Sequence, residues 1–179
     1  MSVEEIDAPL LETLRLVLEP LRVDHAEEMV SVLADERLYA FTGGTPPALG
    51  ELRERYTRQA AGRSPDGVER WLNWIVRRTE DRAAIGFVQA AISEDPPPPA
   101  PTTAVLAWVL GVRFQGRGYA REATATVVAW LMTVGVGRLV ACIHPEHAAS
   151  MSLARALGLG PTAERVDAEV VWERITGSE

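Results

Sequence analysis

The stretch FQGRGYAREA, residues 114–123, decides how the rest of the chain is read. Two glycines, Gly116 and Gly118, stand just before an alanine-rich run of good helix formers. Glycine carries no Cβ, so backbone N–H groups beside it can approach a ligand closely. A helix beginning at the same place adds unpaired N–H groups and the positive end of its dipole. Strand, glycine turn and helix N-terminus together make an anion site suited to a phosphate or pyrophosphate. Arg113, Arg117 and Arg121 bring positive charge to it. The same letters also describe a tight strand–helix turn with solvated arginines, so known phosphate loops have to be tried against them.

Two of those loops fail. Gly111 and Gly116 have the spacing of a nucleotide-binding P-loop, but Arg117-Gly118 follows, with no lysine for the phosphates and no hydroxyl for magnesium. The dinucleotide fingerprint fits Gly116 and Gly118 and then meets Arg121 where its third glycine belongs. About twenty residues further on, around Arg138, no acid is available to hold a ribose.

Outward from the glycines, AVLAWVLGV (104–112) is a strongly apolar strand and AREATATVVAWLMTVG (120–135) a helix of about four turns. Upstream, TLRLVLEPL (13–21) alternates as a first strand. Asp24 is placed to cap the helix HAEEMVSVLADERL (25–38), with Glu27 as capping-box partner. The breaker-rich YAFTGGTPPALG (39–50) precedes a second helix, ELRERYTRQAA (51–61). RWLNWIVRR (70–78) and AAIGFVQAAI (83–92) form a hairpin across TEDR, and SEDPPPPAPTT (93–103) is an extended, exposed connector. RLVACIH (138–144) is a strand, and HAASMSLARALG (147–158) is a helix stopped by Gly158. ERVDAEVVWERIT (164–176) is a short closing hairpin. The order β-α-α-β-β-β-α-β-α-β-β predicts a single mixed α/β domain over 1–179, with its core at about 13–175.

Composition narrows the function classes. Hydrophobic residues make up 47% and charged ones 24%, as in a globular protein. All 18 basic residues are arginine, against 25 acidic ones, and a net charge of −7 speaks against a nucleic-acid partner. No window is apolar enough to span a membrane, and the acidic start MSVEEIDAPLLE lacks a secretory signal, so the expected location is cytoplasmic. Cys142 is the only cysteine and reads as a buried, inert thiol in RLVACI. Three histidines without a carboxylate at ligand spacing predict no metal.

A third phosphate loop fits. Gln115-Gly116-Arg117-Gly118-Tyr119-Ala120 reads as Q/R-x-x-G-x-G/A and resembles the acyl-CoA pyrophosphate loop of the GNAT acetyltransferases. AWVLGVRFQGRGYAREA (107–123) is similar to the strand, loop and helix of their RimJ/RimL-like branch. HPEHAASMSLARALGL (144–159) resembles that branch's P-x-N-x-x-S…L-G-F segment, and TLRLVLEPLRVDHAEEM (13–29) its opening. The likeness runs from about residue 13 to 160. It implies a mostly antiparallel central sheet flanked by helices and splayed, at a bulge, beside the acyl-CoA-binding strand. It also implies acetyl-CoA as acyl donor, and direct transfer to a primary amine on a protein N-terminus or a small molecule, by a monomer or homodimer. Two positions depart from the family: His147 stands where an asparagine is usual, and Gly158-Leu159 where Gly-Phe is.

The resemblance carries roles residue by residue. Gln115 to Ala120 would hold the pyrophosphate, and backbone N–H groups near Val109 and Leu110 would pair with the pantetheine and polarise the thioester, with His147 beside that arm. Ser150 matches the family serine near the sulfur and is the candidate proton donor; the same residue also reads as a helix cap. His144, with an ordinary pKa near 6.5, is a candidate base, and equally a histidine before a proline at a strand exit; water is a third carrier of the proton. Tyr39, Phe41, Trp71 and Asn73 are candidates for the acceptor side, with core packing as the competing reading of each aromatic. Trp71 and Asn73 share one strand face, and Trp74 points to the other. The rival function is a non-catalytic acyl-CoA-binding regulatory module, which the change at His147 favours.

Overall fold

The computed structural model describes residues 6–94 and 101–176. Its strands are β1 (Leu11–Glu12), β2 (Leu16–Pro20), β3 (Arg70–Arg78), β4 (Ala84–Glu94), β5 (Thr102–Leu110), β6 (Arg138–Ile143), β7 (Gly160–Val166) and β8 (Glu169–Ile175). The helices are α1 (Ala26–Val32), α2 (Leu49–Ala60), α3 (Tyr119–Thr133) and α4 (Ala148–Ala156). All eight strands lie in one sheet in the order β1-β2-β3-β4-β5-β6-β8-β7. Every neighbouring pair is antiparallel except β5 with β6. A parallel pair needs a crossover, and α3 supplies it. The sheet is therefore mixed, mostly antiparallel and flanked by helices.

Alternation along the strands divides the apolar side chains between two cores. Leu72, Trp74 and Val76 of β3 join Leu106 and Leu110 of β5 and Val127 and Leu131 of α3 on one face. Ile75 of β3 joins Met29 of α1 with Leu52 and Tyr56 of α2 on the other. Leu52 and Tyr56 are four apart, which is why α2 buries one narrow stripe and leaves its flank free.

Several sequence boundaries shift. The helix expected over 25–38 is shorter: α1 ends at Val32, and Asp35 opens a separate 3-10 turn at Glu36–Tyr39 by accepting the Arg37 N–H at 3.0 Å. Asp24 does not cap α1, because a 3-10 turn at Val23–His25 precedes it. There the Arg22 N–H donates to His25 Nδ1 at 3.1 Å, and Asp24 pairs with the Arg22 side chain. The closing hairpin starts at Gly160 rather than 164 and turns at Asp167 and Ala168, both at positive φ. Ser93 and Glu94 continue β4 and Thr102 and Thr103 begin β5, so only 95–101 of the connector lie between the strands, and 95–100 of these are outside the described residues. Cys142 is half-buried rather than buried, and burial raises its thiol pKa.

Candidate functional site

The site begins where two neighbouring strands part. β5 pairs with β6 only from Thr103↔Arg138 to Val105↔Val140, while its register with β4 continues to Gly86↔Leu110. The Thr102 carbonyl accepts the Gly137 N–H at 2.9 Å, and the Gly111 N–H donates to the Ile85 carbonyl at 2.9 Å. Backbone direction alternates along a strand, so even-numbered residues of β5 turn toward β6 and odd ones toward β4. Past Val105 the N–H groups of Trp108 and Leu110 therefore open into the gap. The N–H of Val109 faces β4, and Val109 meets the site with its side chain instead. The β4–β5 register is unbroken, so no bulge in that pair produces the gap; β6 simply turns away. Gly86 allows β4 to follow β5 this far. A Cβ there would overlap the Val109 carbonyl oxygen and lie 2.9 Å from Leu110 Cα.

The glycine loop closes the end of β5. After a 3-10 turn at Val112–Phe114, Gln115 is extended, and Gly116 and Gly118 take φ of 73° and 79°. Gly118 is the N-cap of α3, whose first intrahelical bond runs from the Glu122 N–H to the Gly118 carbonyl at 3.1 Å. The N–H groups of Tyr119, Ala120 and Arg121 in that first turn have no intrahelical acceptor. A Cβ at Gly116 would meet nothing within 4 Å, and one at Gly118 only Arg15 Nη2 at 3.5 Å. The protein thus leaves this side of the loop open, and the left-handed φ is a second, independent reason for both glycines. Gln115 turns back, its Nε2 donating to the Leu110 carbonyl at 2.9 Å, and so ties the loop to the strand. The Tyr119 side chain is buried in the core, and the Arg117 and Arg121 side chains are exposed.

Sequence reasoning missed the clamp on this loop. Arg15 donates from Nη1 to the Arg117 carbonyl at 3.1 Å and from Nε to Glu122 Oε2 at 2.7 Å. Its guanidinium also sits 4.7 Å from the Tyr119 ring centroid. Thr13 Oγ1 donates to Glu122 Oε1 at 2.6 Å. Burial raises the Glu122 carboxyl, but the bonds from Thr13 and Arg15 outweigh it and leave the pKa below the ordinary value. The only sequence signal was the placement of Thr13 and Arg15 just before the first long strand.

Across the gap, the end of β6 carries the other named residues. Phe41 stacks on His147 with ring centroids 4.6 Å apart and lies 5.3 Å from the His144 ring. His144 Nδ1 accepts the Glu146 N–H at 3.2 Å. Burial, then the neighbouring His144, lowers the His147 pKa. The N-cap of α4 is His147, without a side-chain cap bond, so Ser150 is not a cap; it stands half-buried in the first turn.

On the opposite face of the sheet α2 overhangs β3, β4 and β5. A cleft of about 640 Å³ is lined by Tyr39, Glu54, Arg55, Arg58, Phe87 and Val109 among others. A second, of about 360 Å³, continues past Arg55 and Arg58 over Trp71, Asn73, Gln89 and Val105. Tyr39 donates its hydroxyl to the Leu33 carbonyl at 2.9 Å, and burial raises its pKa. Gln89 Nε2 donates to Asn73 Oδ1 at 2.6 Å across the strand pair. Trp74 points the other way and is fully buried. Of the four acceptor candidates, Tyr39, Trp71 and Asn73 line these clefts, and Phe41 sits with the histidines. Arg55, Arg58, Phe87 and Gln89 were not anticipated, although the spacing 51, 55, 58 already put one polar stripe along α2.

Comparison with known proteins adds to this geometry. Residues 15–160 match the acetyltransferase (GNAT) domain family. Among curated protein sequences none matches the chain significantly. An acetyltransferase from Agrobacterium tumefaciens str. C58 is 26% identical over 94% of this chain and 95% of its own, with a TM-score of 0.69. RimL, a ribosomal L7/L12 alpha-N-protein acetyltransferase solved with coenzyme A, is 13% identical over 95% and 99%, with a TM-score of 0.72. The microcin C7 self-immunity acetyltransferase MccE, solved with acetyl-CoA and AMP, is 14% identical over 91% and 93%, with a TM-score of 0.70.

Proposed function

The chain belongs to the GNAT acetyltransferase family, and from that premise we propose that it transfers the acetyl group of acetyl-CoA directly to a primary amine. The observation that carries this reading is the gap between β5 and β6 with the open glycine loop at its end. N–H groups of the loop and of the first turn of α3 take the pyrophosphate. The pantetheine lies in the gap against the strand edge, where the Trp108 and Leu110 N–H groups pair with it and polarise the thioester carbonyl. Stabilising the developing oxyanion is often the largest catalytic contribution, one lost donor costing roughly 3 kcal/mol.

The amine approaches from the α2 face, past Phe87 and Val109. It attacks as the free base; the C–N bond forms, the C–S bond breaks, and the thiolate takes a proton from Ser150. His144 or water removes the proton from the amine and passes it back to Ser150, so that one proton moves in net from nitrogen to sulfur. No helix among the described residues is long and apolar enough to cross a membrane, and a cytoplasmic location goes with this reading. The RimJ/RimL-like resemblance favours a protein N-terminus as acceptor, with small amines as the alternative.

Thiol release from acetyl-CoA across a panel of amines tests the proposal, run alongside calorimetry of acetyl-CoA binding. Turnover on at least one amine is expected. In Ser150→Ala the turnover should fall by about tenfold or less, below the usual 100-fold of general acids, because a thiolate leaves well unaided. Cofactor affinity and melting temperature should hold. Tight acetyl-CoA binding with no turnover on any amine would instead make this a regulatory acyl-CoA-binding module.

A further inference from the structure

The clefts under α2 hold a pair of arginines that the reaction itself does not use. Arg55 and Arg58 are three residues apart on one flank of the helix, and both line both clefts. Several arginines elsewhere in the chain are paired with a carboxylate: Arg53 with Glu27, Arg70 with Asp7, Arg77 with Glu19 and Glu28, Arg78 with Asp81. Arg55 and Arg58 form no ion pair among the described residues. Glu51 and Glu54 line the larger cleft with them, Glu51 accepting the Ala48 N–H at 2.8 Å, so the arginines stand without carboxylates only over the smaller cleft. The lining of the smaller cleft contains these two guanidinium groups and no carboxylate. In a protein of net charge −7, two adjacent cations over the smaller cleft, with no carboxylate in its lining, are a local reversal of the overall charge.

The floor beneath them suits a small polar ligand. Trp71 lines it, and the bonded amides of Asn73 and Gln89 lie beside it. Gln59, at the cleft wall, has a buried Oε1 without a hydrogen-bond partner. The larger cleft leads from the same arginines to Phe87 and Val109, where β5 meets the gap. A molecule with its amine at Val109 therefore extends its other end toward Arg55 and Arg58. Guanidinium groups bind carboxylate and phosphate in a planar, two-point fashion and have no comparable partner in a neutral chain.

We infer that the acceptor is anionic: a primary amine carrying a carboxylate or phosphate that Arg55 and Arg58 hold. This rests on the acetyltransferase reading and narrows its substrate class. The probes are C-terminally amidated tripeptides, Asp-Ala-Ala against Asn-Ala-Ala and phosphoserine-Ala-Ala against Ser-Ala-Ala, so that each pair differs in one anionic group. Their binding to the coenzyme A-saturated protein is measured by calorimetry and their kcat/KM by thiol release. The acidic member of at least one pair should bind about tenfold more tightly, with the difference in kcat/KM arising in KM. Which pair shows it separates carboxylate from phosphate.

Arg55→Gln with Arg58→Gln should erase the preference and leave acetyl-CoA affinity unchanged, since neither residue touches the glycine loop. Equal binding of acidic and neutral peptides in the wild type, or a preference that survives the double variant, overturns the inference while leaving acetyl transfer intact. Failure of acetyl-CoA to bind overturns the acetyltransferase reading instead, and the peptide contrast is then read on the protein without coenzyme A.

Discussion

The cofactor side and the acceptor side of β5 are built from different materials. In the function proposed above, the recognising groups on the cofactor side are backbone N–H groups: those of the loop, of the first turn of α3, and of Trp108 and Leu110 at the strand edge. On the proposed acceptor side they are side chains, Arg55 and Arg58 above and Trp71, Asn73 and Gln89 below, which line the cleft. A backbone site demands conformations, which few residue types satisfy; a side-chain site demands only that certain residues meet. The first kind tolerates almost no substitution at its glycines. The second can change specificity one residue at a time without disturbing the machinery behind it.

The sharpest way to break that contrast is at Gly86, where the two sides share a backbone contact. An alanine methyl there would overlap the Val109 carbonyl and press on Leu110, so β4 or β5 has to move. Overpacking of this kind costs about 1–3 kcal/mol, and two backbones in contact put Gly86→Ala at or above the top of that range. Urea unfolding should show the loss, and turnover at low temperature, where the variant remains folded, should fall more than tenfold because the strand edge itself is displaced. Stability within about 0.5 kcal/mol of wild type would mean that the strands part freely at this point.

Gly118 separates conformation from occlusion. Valine there combines a strained left-handed φ with a bulky group, and its effect would be ambiguous. Asparagine accepts a left-handed φ, and the nearest neighbour, Arg15, stands 3.5 Å from the new Cβ, so the loop keeps its shape. The added side chain then fills the side that the protein leaves open. Gly118→Asn should weaken acetyl-CoA binding by about tenfold while unfolding stability changes by less than about 1 kcal/mol. Unchanged affinity in calorimetry would remove the loop from the cofactor site.

The same difference in materials explains what the amino-acid order revealed. Gly116, Gly118 and the start of α3 are neighbours in the chain, so their joint meaning is local and readable. The splay followed only from resemblance, and its details differed: the register places Trp108 and Leu110 at the gap and turns the Val109 N–H toward β4. Arg15 joins the loop from about a hundred residues away, and no local pattern announces such a contact. Arg55 and Arg58 lie on the polar flank of an amphipathic helix, and only the packing of α2 over β3, β4 and β5 sets them above a cleft. For Ser150 the sequence leaves proton donor and helix cap both open, and the observed N-cap at His147 removes the second. Trp71 and Asn73 were legible as a pair because a strand's alternation is a strictly local rule.

Acid provides the mildest separation of the two sides, because different titrating groups anchor them. His25, with 2% of its surface exposed, sits beneath α1 on the acceptor side and is flanked by Glu19, whose Oε2 lies 3.3 Å from His25 Nε2. Burial, followed by the charges of Arg22 and Arg77, lowers the His25 pKa below its ordinary 6.5. The unfolded chain therefore takes up this proton first as pH falls. His25 favours the fold fully above pH 6.5, and its contribution is lost progressively between 6.5 and its folded pKa. His147 is shifted in the same direction and adds to the loss. On the cofactor side the anchor is the carboxylate of Glu122, also lowered, so its contribution is full above pH 4.5 and declines only below that. Between pH 6.5 and 4.5 the α1 region should loosen while the clamp on the glycine loop holds. Hydrogen exchange, corrected for its intrinsic pH dependence, should show reduced protection of α1 amides at pH 5.5 relative to 7.5 and little change at the start of α3. His25→Gln, which keeps an acceptor and a donor without the titration, should flatten most of the change in α1. Equal loosening of both regions, or an unaltered pH response in His25→Gln, would show that His25 does not anchor the acceptor side.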